Sequence, residues 1–129
     1  MDETTIGDLM TEPVLTAEQD NRAVDVAGAM AEAGINSVVV IDESCRPLGI
    51  LTSTDYVGLT ADGVNPHETT VSQLMTGSVV TATRDESVIA AAATMDSNNI
   101  GHLPVVDDDG QVTGILTGTD LTTFLASKT

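Results

Sequence analysis

Basic residues are almost missing from this 129-residue chain. Four Lys and Arg stand against twenty Asp and Glu, a formal net charge of −16. Binding along a nucleic-acid backbone needs a basic surface to displace counterions, so the balance argues against nucleic acid as a partner. Anionic membrane surfaces are disfavoured for the same reason. Aromatic anchors are also scarce, with Tyr56 and Phe124 alone and no Trp. The core is therefore expected from Val, Ile, Leu, Met and Ala, which suits strands packed on Ala-rich helices. Cys45 is the single cysteine. It excludes an intramolecular disulfide, and in its expected turn it reads as a spectator thiol. No apolar run approaches the roughly 20 residues of a membrane span, and no basic-then-apolar leader opens the chain. A soluble, cytoplasmic protein is expected.

Catalytic signatures are thin as well. The two histidines, His67 and His102, and one cysteine make a poor zinc site, and no Ser-His-Asp set stands out. Neither a phosphate-cradling Gly-x-x-x-x-Gly-Lys loop nor a Gly-x-Gly-x-x-Gly turn is present. The acidic run Asp107-Asp108-Asp109 begins like a calcium loop but lacks the liganding Glu that completes one. No catalytic residue and no metal ligand is assigned, and catalysis is not expected.

What the chain does have is a duplication. Residues Ile6–Val57 align without gaps on Val71–Thr122 at an offset of 65. Leu9-Met10-Thr11 returns as Leu74-Met75-Thr76, and Gly49-Ile50-Leu51-Thr52 as Gly114-Ile115-Leu116-Thr117. Thr54-Asp55 likewise returns as Thr119-Asp120. The length supports one compact domain, with a first motif at 6–57, a Gly- and Pro-bearing linker at 58–70 and a second motif at 71–125. The Ala-rich helix faces suggest that the halves share one core.

Each copy predicts a helical turn (6–10) and a brief strand (14–16). Asp20, or Asp85 in the second copy, then caps a helix that ends near Gly34 or Asn98. In the first copy Val24, Ala27, Ala31 and Ile35 form its apolar stripe. The apolar run Val38–Ile41 reads as a buried strand, a polar turn (42–46) leads to a strand at 47–51, and a helix opens near Thr54. The second copy adds strands near 103–106 and 111–116, joined by the hairpin turn Asp107–Gly110, and a final helix from about Thr119. The fold class is α/β (α+β).

Thr52-Ser53-Thr54-Asp55 and Thr117-Gly118-Thr119-Asp120 sit where a strand hands over to a helix. Two readings are open. The Thr and Asp can form a capping box that serves only the helix. Alternatively the free amides and positive end of the helix dipole can receive phosphate, with the Thr hydroxyl donating and the carboxylate accepting ribose hydroxyls.

The duplicated Met-Thr opening, Ile-Gly-His-Leu-Pro-Val-Val-Asp at 100–107 and Gly-Ile-Leu-Thr-x-Thr-Asp in both copies resemble a tandem pair of cystathionine-β-synthase (CBS) motifs, a Bateman module. The resemblance implies two pseudo-symmetric βαββα motifs packed through their sheets. It implies that Thr52, Asp55, Thr117 and Asp120 meet the phosphate and ribose of an adenine nucleotide. It further implies base contacts from the partner repeat: Thr16, Ile35 and Asn36 toward Asp120, and Thr81, Ile100 and Gly101 toward Asp55.

The departures from the family pattern concern phosphate. Candidate positive partners are His102, Arg84 and Arg22, and Ser37 stands where the second copy has His102. The clefts are thus expected to differ. His102 can meet phosphate, or it can be an ordinary surface or interface histidine. With so little positive charge, a monophosphate or an uncharged adenosine moiety is easier to hold than a triphosphate, which needs Mg²⁺ or high salt.

The composition, poor in Lys and rich in Asp, Thr, Ala and Gly, is similar to that of proteins from salt-accumulating archaea, where salt screens self-repulsion. The expectation is a regulatory, energy-sensing homodimer without a required cofactor. It would bind AMP, ADP, ATP or S-adenosylmethionine and act on an unidentified partner protein in trans. The alternative is an interaction module whose clefts are vestigial.

Overall fold

The computed structural model of the protein describes residues 4–12, 14–77 and 79–128. It divides into a central unit, Leu15–Val79, and a terminal unit made of Met1–Val14 with Val80–Thr129. In the central unit β1 (Thr16–Glu18) runs parallel to β2 (Ser37–Ile41), which pairs antiparallel with β3 (Pro47–Thr52). Helix α2 (Ala23–Ala33) joins β1 to β2, and α3 (Ser53–Ala61) follows β3. A 3-10 turn (Pro66–Glu68) and the short α4 (Val71–Leu74) complete the unit. The terminal unit repeats the plan with α1 (Ile6–Leu9), β4 (Ala82–Thr83), α5 (Val88–Asn98), β5 (His102–Val106), β6 (Val112–Thr117) and α6 (Gly118–Ala126). Its sheet order is β4-β5-β6.

The units do not coincide with the sequence repeats, because the opening helix of each copy is exchanged. Thr11, after α1, exchanges two backbone hydrogen bonds with Ile115 of β6 (2.9 and 3.1 Å). Thr76, after α4, does the same with Ile50 of β3 (2.9 Å each). The glycines of the repeated Gly-Ile-Leu-Thr make room for this crossing. A Cβ at Gly49 would lie 2.5 Å from Met75 Sδ and 2.8 Å from the Thr76 carbonyl oxygen. A Cβ at Gly114 would lie 2.8 Å from Met10 Sδ. The two sequence signatures of the duplication are therefore packing partners of each other, each taken from the opposite copy.

Each unit has its own cluster of buried residues. The central cluster contains Ala17, Val26, Met30, Val38, Val40, Leu51 and Val71. The terminal cluster contains their equivalents at the offset of 65, namely Ala82, Ala91, Met95, Leu103, Val105, Leu116 and, through the exchanged helix, Ile6. These alternating strand positions and one helical stripe are what a sheet covered on this face by a helix requires, and Val39, on the opposite face of β2, is buried as well.

Several local expectations shift. The strand expected at 14–16 is β1 at Thr16–Glu18. Asp20 and Asp85 do not cap: the N-cap positions are Arg22 and Ser87, and the Ser87 hydroxyl accepts the Ala90 amide at 3.0 Å. The residues before them close turns instead. Asn21 accepts the Glu18 amide (2.8 Å), Glu86 the Thr83 amide (2.6 Å) and Asp85 the Thr83 hydroxyl (2.8 Å). Short polar side chains in such turns compete with capping. With the helix starting later, its buried face is Ala23, Val26 and Met30 rather than the Val24–Ala27–Ala31 stripe, one helical step away. The two stripes are both apolar, and the one carrying Met30 and Val26 is buried. The segment 58–70 carries the end of α3 and the 3-10 turn rather than unstructured linker.

Helix ends and turns obey the repeat in backbone even where the residue changes. Gly34 and Asn99 both close their helices in the left-handed region (φ 68° and 54°). Cys45 and Gly110 both take left-handed φ in their hairpin turns (63° and 80°). Cys45 is exposed and unpaired in disulfide terms, as its turn position implied.

Candidate functional site

Each Thr-x-x-Asp segment forms the hinge between an antiparallel strand and a nine-residue helix. In the central unit Thr52 is the N-cap of α3 and Asp55 lies three residues on. The Asp55 Oδ2 accepts the Thr52 amide at 2.8 Å and the Thr52 hydroxyl at 3.3 Å. In the terminal unit the Asp120 Oδ2 accepts the Thr117 amide (2.9 Å) and hydroxyl (3.1 Å), and the Asp120 amide donates to the Thr117 hydroxyl (3.2 Å). Both are capping boxes, so the capping reading is realised in the structure. It also fixes each carboxylate at a helix N-terminus, which serves the binding reading equally. First-turn amides at such an end have no intrahelical partner.

The end of the preceding strand is tied to the same edge. The Ser53 amide donates to the Asn36 carbonyl at 3.1 Å, and the Gly118 amide to the Gly101 carbonyl at 3.1 Å. Ser37 pairs with Thr52 across the β2–β3 ladder, and His102 with Thr117 across β5–β6. Thus Asn36, Ser37, Thr52 and Asp55 meet at one edge of the central unit, and Gly101, His102, Thr117 and Asp120 at one edge of the terminal unit. Ile35 and Ile100, half-buried just before these edges, pack on their own unit's core. Thr16, expected toward Asp120, opens β1 and pairs with Val39 of β2. Thr81 precedes β4 and is exposed.

The cations sit elsewhere in each sheet. Arg46 lies in the hairpin turn at the opposite end of β2 and β3 from Thr52. Arg84 follows Thr83, which pairs with Val106 at the far end of β5 from His102. Its carbonyl accepts the Gly7 amide at 2.8 Å. Arg22 bonds Asp25 at 3.1 Å, an exposed pair of small energetic weight. Lys128 lies 5.3 Å from the Phe124 ring centre. Of the three positive candidates, the fold sets only His102 at a Thr-x-x-Asp edge of its own unit. Beside Asp55 opens a groove of about 630 Å³. Thr54, Leu59, Leu74 and two further carboxylates, Asp62 and Glu68, line it. Its field disfavours phosphate and favours neutral or cationic groups.

Two residues at these edges escaped the sequence reading. The Tyr56 hydroxyl donates to the Ala23 carbonyl at 2.6 Å and so ties α3 to the start of α2. Burial above all, and the Asp55 carboxylate next to it in sequence, push this phenol up to about 12, with the Ala27 backbone opposing. Leu121 stands at the equivalent place in α6. Thr11 donates from its hydroxyl to Asp120 Oδ1 at 3.3 Å. The only signals available for these two were an isolated tyrosine beside an assigned Asp and the Thr of the repeated Met-Thr. Among the described residues there is no cluster of three or more potential metal ligands, and no helix is long and apolar enough to cross a membrane.

Comparison with known proteins agrees with this architecture. An uncharacterised protein of Methanopyrus kandleri is 36% identical over 118 residues, which cover 91% of this chain and 60% of the relative. The L-aspartate semialdehyde sulfurtransferase of Methanocaldococcus jannaschii is 32% identical over 97% of the chain but only 24% of its own length. The chain thus spans less than two thirds of these curated relatives. Among solved structures, the CBS domain pair of protein MJ0100, in complex with 5′-methylthioadenosine and S-adenosyl-L-methionine, superposes with a TM-score of 0.90 at 31% identity. The match covers 99% of this chain and 100% of that one. The CBS domain profile matches residues 6–61 and again 71–127. The chain belongs to the CBS domain family, as a tandem pair.

Proposed function

We propose that this CBS pair is a regulatory module that binds an adenosine derivative at its Thr-x-x-Asp edges and does not itself catalyse a reaction. The observation that carries the reading is the duplicated hinge. Two carboxylates, Asp55 and Asp120, are each locked at a helix N-terminus beside a Thr hydroxyl, with a strand-end carbonyl alongside. Thr52 and Thr117 are assigned to phosphate or its substitute, and Asp55 and Asp120 to the ribose hydroxyls. Thr16, Ile35, Asn36, Thr81, Ile100, Gly101 and His102 are assigned to the base and walls, following the family resemblance.

Charge narrows the ligand. Arg46 and Arg84 lie at the ends of their sheets away from Thr52 and Thr117, and the chain as a whole carries a net charge of −16. S-adenosylmethionine, which is cationic at sulfur, or a monophosphate such as AMP therefore fits better than ATP, which would need Mg²⁺ or molar salt to offset repulsion. The ligands bound by the MJ0100 pair support the first of these. Similarity to a quarter of a longer enzyme's length fits a regulatory segment. The bound state would act on a partner protein through differential affinity for two conformations, in a homodimer inside the cell.

Calorimetric titration of S-adenosylmethionine, AMP, ADP and ATP at low and molar salt tests the proposal. Saturable binding is expected, weakest for ATP at low salt without Mg²⁺. The capping boxes are complete without a ligand, which favours vestigial edges as the second reading. Absence of saturable binding by all four would establish that reading in place of the first.

A further inference from the structure

The two edges share a backbone design but differ in one hydrogen bond. Asp120 Oδ2 serves the capping box, and its Oδ1 accepts the Thr11 hydroxyl at 3.3 Å. Asp55 Oδ2 serves the capping box in the same way, while its Oδ1 accepts no hydrogen bond among the described residues. Thr76 is the equivalent of Thr11 and makes the same pair of backbone bonds, to Ile50. Its hydroxyl nevertheless leaves Asp55 alone. Thr11 is pinned through its own backbone to Ile115, two residues before Thr117, and its β-branched side chain has few rotamers. The hydroxyl is held there by the exchanged opening segment, not by the repeat that owns Asp120.

We infer that Thr11 is a built-in competitor of the ligand at the Asp120 edge, so that the Asp55 edge fills first and the Asp120 edge fills with lower affinity. The inference rests on the binding function proposed above. A ribose diol needs the carboxylate oxygen that the cap leaves over. At Asp55 that oxygen is open to an incoming hydroxyl. At Asp120 an incoming hydroxyl competes for that oxygen with the tethered Thr11 hydroxyl, whereas at Asp55 it displaces only water. For a solvent-accessible bond of this length the difference amounts to about two- to tenfold in affinity. Thr11 is thus a specificity-determining residue for site order, and it couples the second site to the seating of α1.

The test uses the full chain with S-adenosylmethionine and AMP as probes. Asp55→Ala isolates the Asp120 edge, and Asp120→Ala isolates the Asp55 edge. With S-adenosylmethionine, which carries no phosphate for His102 to meet, calorimetry should find the tighter site in Asp120→Ala. Adding Thr11→Val to Asp55→Ala should tighten binding about two- to tenfold, whereas adding it to Asp120→Ala should change nothing. Thr76→Val in the wild-type background should be silent, and Thr11→Ser should keep the weak second site. Thr11→Ala serves the same purpose if melting curves show that Thr11→Val does not fold. Unchanged or weaker binding in Asp55→Ala/Thr11→Val overturns the inference while leaving the binding function intact. If wild-type protein binds neither probe, the function itself fails and this inference with it.

Discussion

Gly49→Ala offers the sharpest structural test, because the clash it creates is fixed by geometry. The added Cβ would lie 2.8 Å from the Thr76 carbonyl oxygen and 2.5 Å from Met75 Sδ, against 3.4–4 Å for ordinary contact. The thioether can swing aside, since methionine is adaptable. The carbonyl cannot retreat freely, because it accepts the Ile50 amide at 2.9 Å while the Thr76 amide bonds back to Ile50 at the same distance. Relief requires either lengthening this pair of bonds or tilting β3, and overpacking of this kind costs about 1–3 kcal/mol. The backbone component puts Gly49 in the upper part of that range, about 2–3 kcal/mol. Gly114→Ala meets mainly Met10 Sδ at 2.8 Å, with the Thr11 carbonyl oxygen at 3.1 Å, and should cost about 1 kcal/mol. For a chain of this size the first change lowers the melting temperature by roughly 6–15 °C and the second by less than half of that. Thermal and urea unfolding in molar salt would measure both. Met75→Ala combined with Gly49→Ala should lose less than the sum of the single changes, as for any pair in contact. If Gly49→Ala melts within about 2 °C of wild type, or Gly114→Ala proves the worse, then the exchanged segment does not cross β3 as described.

Other perturbations follow from the same contacts. Tyr56 is the only tyrosine, so absorbance of the phenolate reports it alone. Its titration should centre near 12 rather than the ordinary value of 10.0, and Asp55→Asn should bring it down, because the carboxylate contributes to the rise. A phenol whose folded value is raised leaves stability untouched below pH 10 and erodes it as pH climbs to about 12. Tyr56→Phe should flatten that alkaline loss, and an unchanged alkaline melting profile would refute the assignment. Cys45→Gly should stabilise by about 0.5–1 kcal/mol, since it relieves a left-handed φ at a turn where the second repeat already has Gly110. A lower melting temperature for this variant would count against the turn geometry. Salt should raise the melting temperature by several degrees between about 0.01 and 1 M, as the screening length falls from about 30 to 3 Å around a charge of −16. A flat salt response would show that the acids do not repel one another appreciably in the fold.

How much was legible in the sequence depended on whether the signal was local. The buried strands at Ser37–Ile41 and His102–Val106 and the left-handed Gly34 follow from apolar runs and turn chemistry, and they lie where expected. The duplicated Thr-x-x-Asp hinge was visible because strand end, cap and helix start are contiguous in the chain. The capping role of Asp20 was misassigned because Asp and Asn serve turns and caps alike, and only the packed register of the helix decides between them. The exchange of α1 and α4 was invisible, since a repeat at constant offset looks the same whether its opening helix packs at home or away. The repeated glycines held the clue: Gly49 and Gly114 sit in mid-strand, where a glycine signals close approach of another backbone.

The exchange also explains how a duplicated chain can keep equivalent cores and yet differ at its edges. Core positions correspond residue for residue across the offset, from Ala17 and Ala82 to Leu51 and Leu116, because each must fill the same space between one sheet and one helix. The constraint is looser at the strand-to-helix edges. Ser37 and His102, and Tyr56 and Leu121, are different side chains at equivalent backbone sites, and the hydroxyls of Thr76 and Thr11 differ in that only Thr11 bonds the carboxylate. Because the opening segments are exchanged, Thr11 bonds a carboxylate that lies 109 residues away in the chain. A substitution at Thr11 can therefore alter the hydrogen bonding of Asp120 without altering either repeat's own hinge, which leaves the two edges free to diverge while the repeated backbone plan is kept.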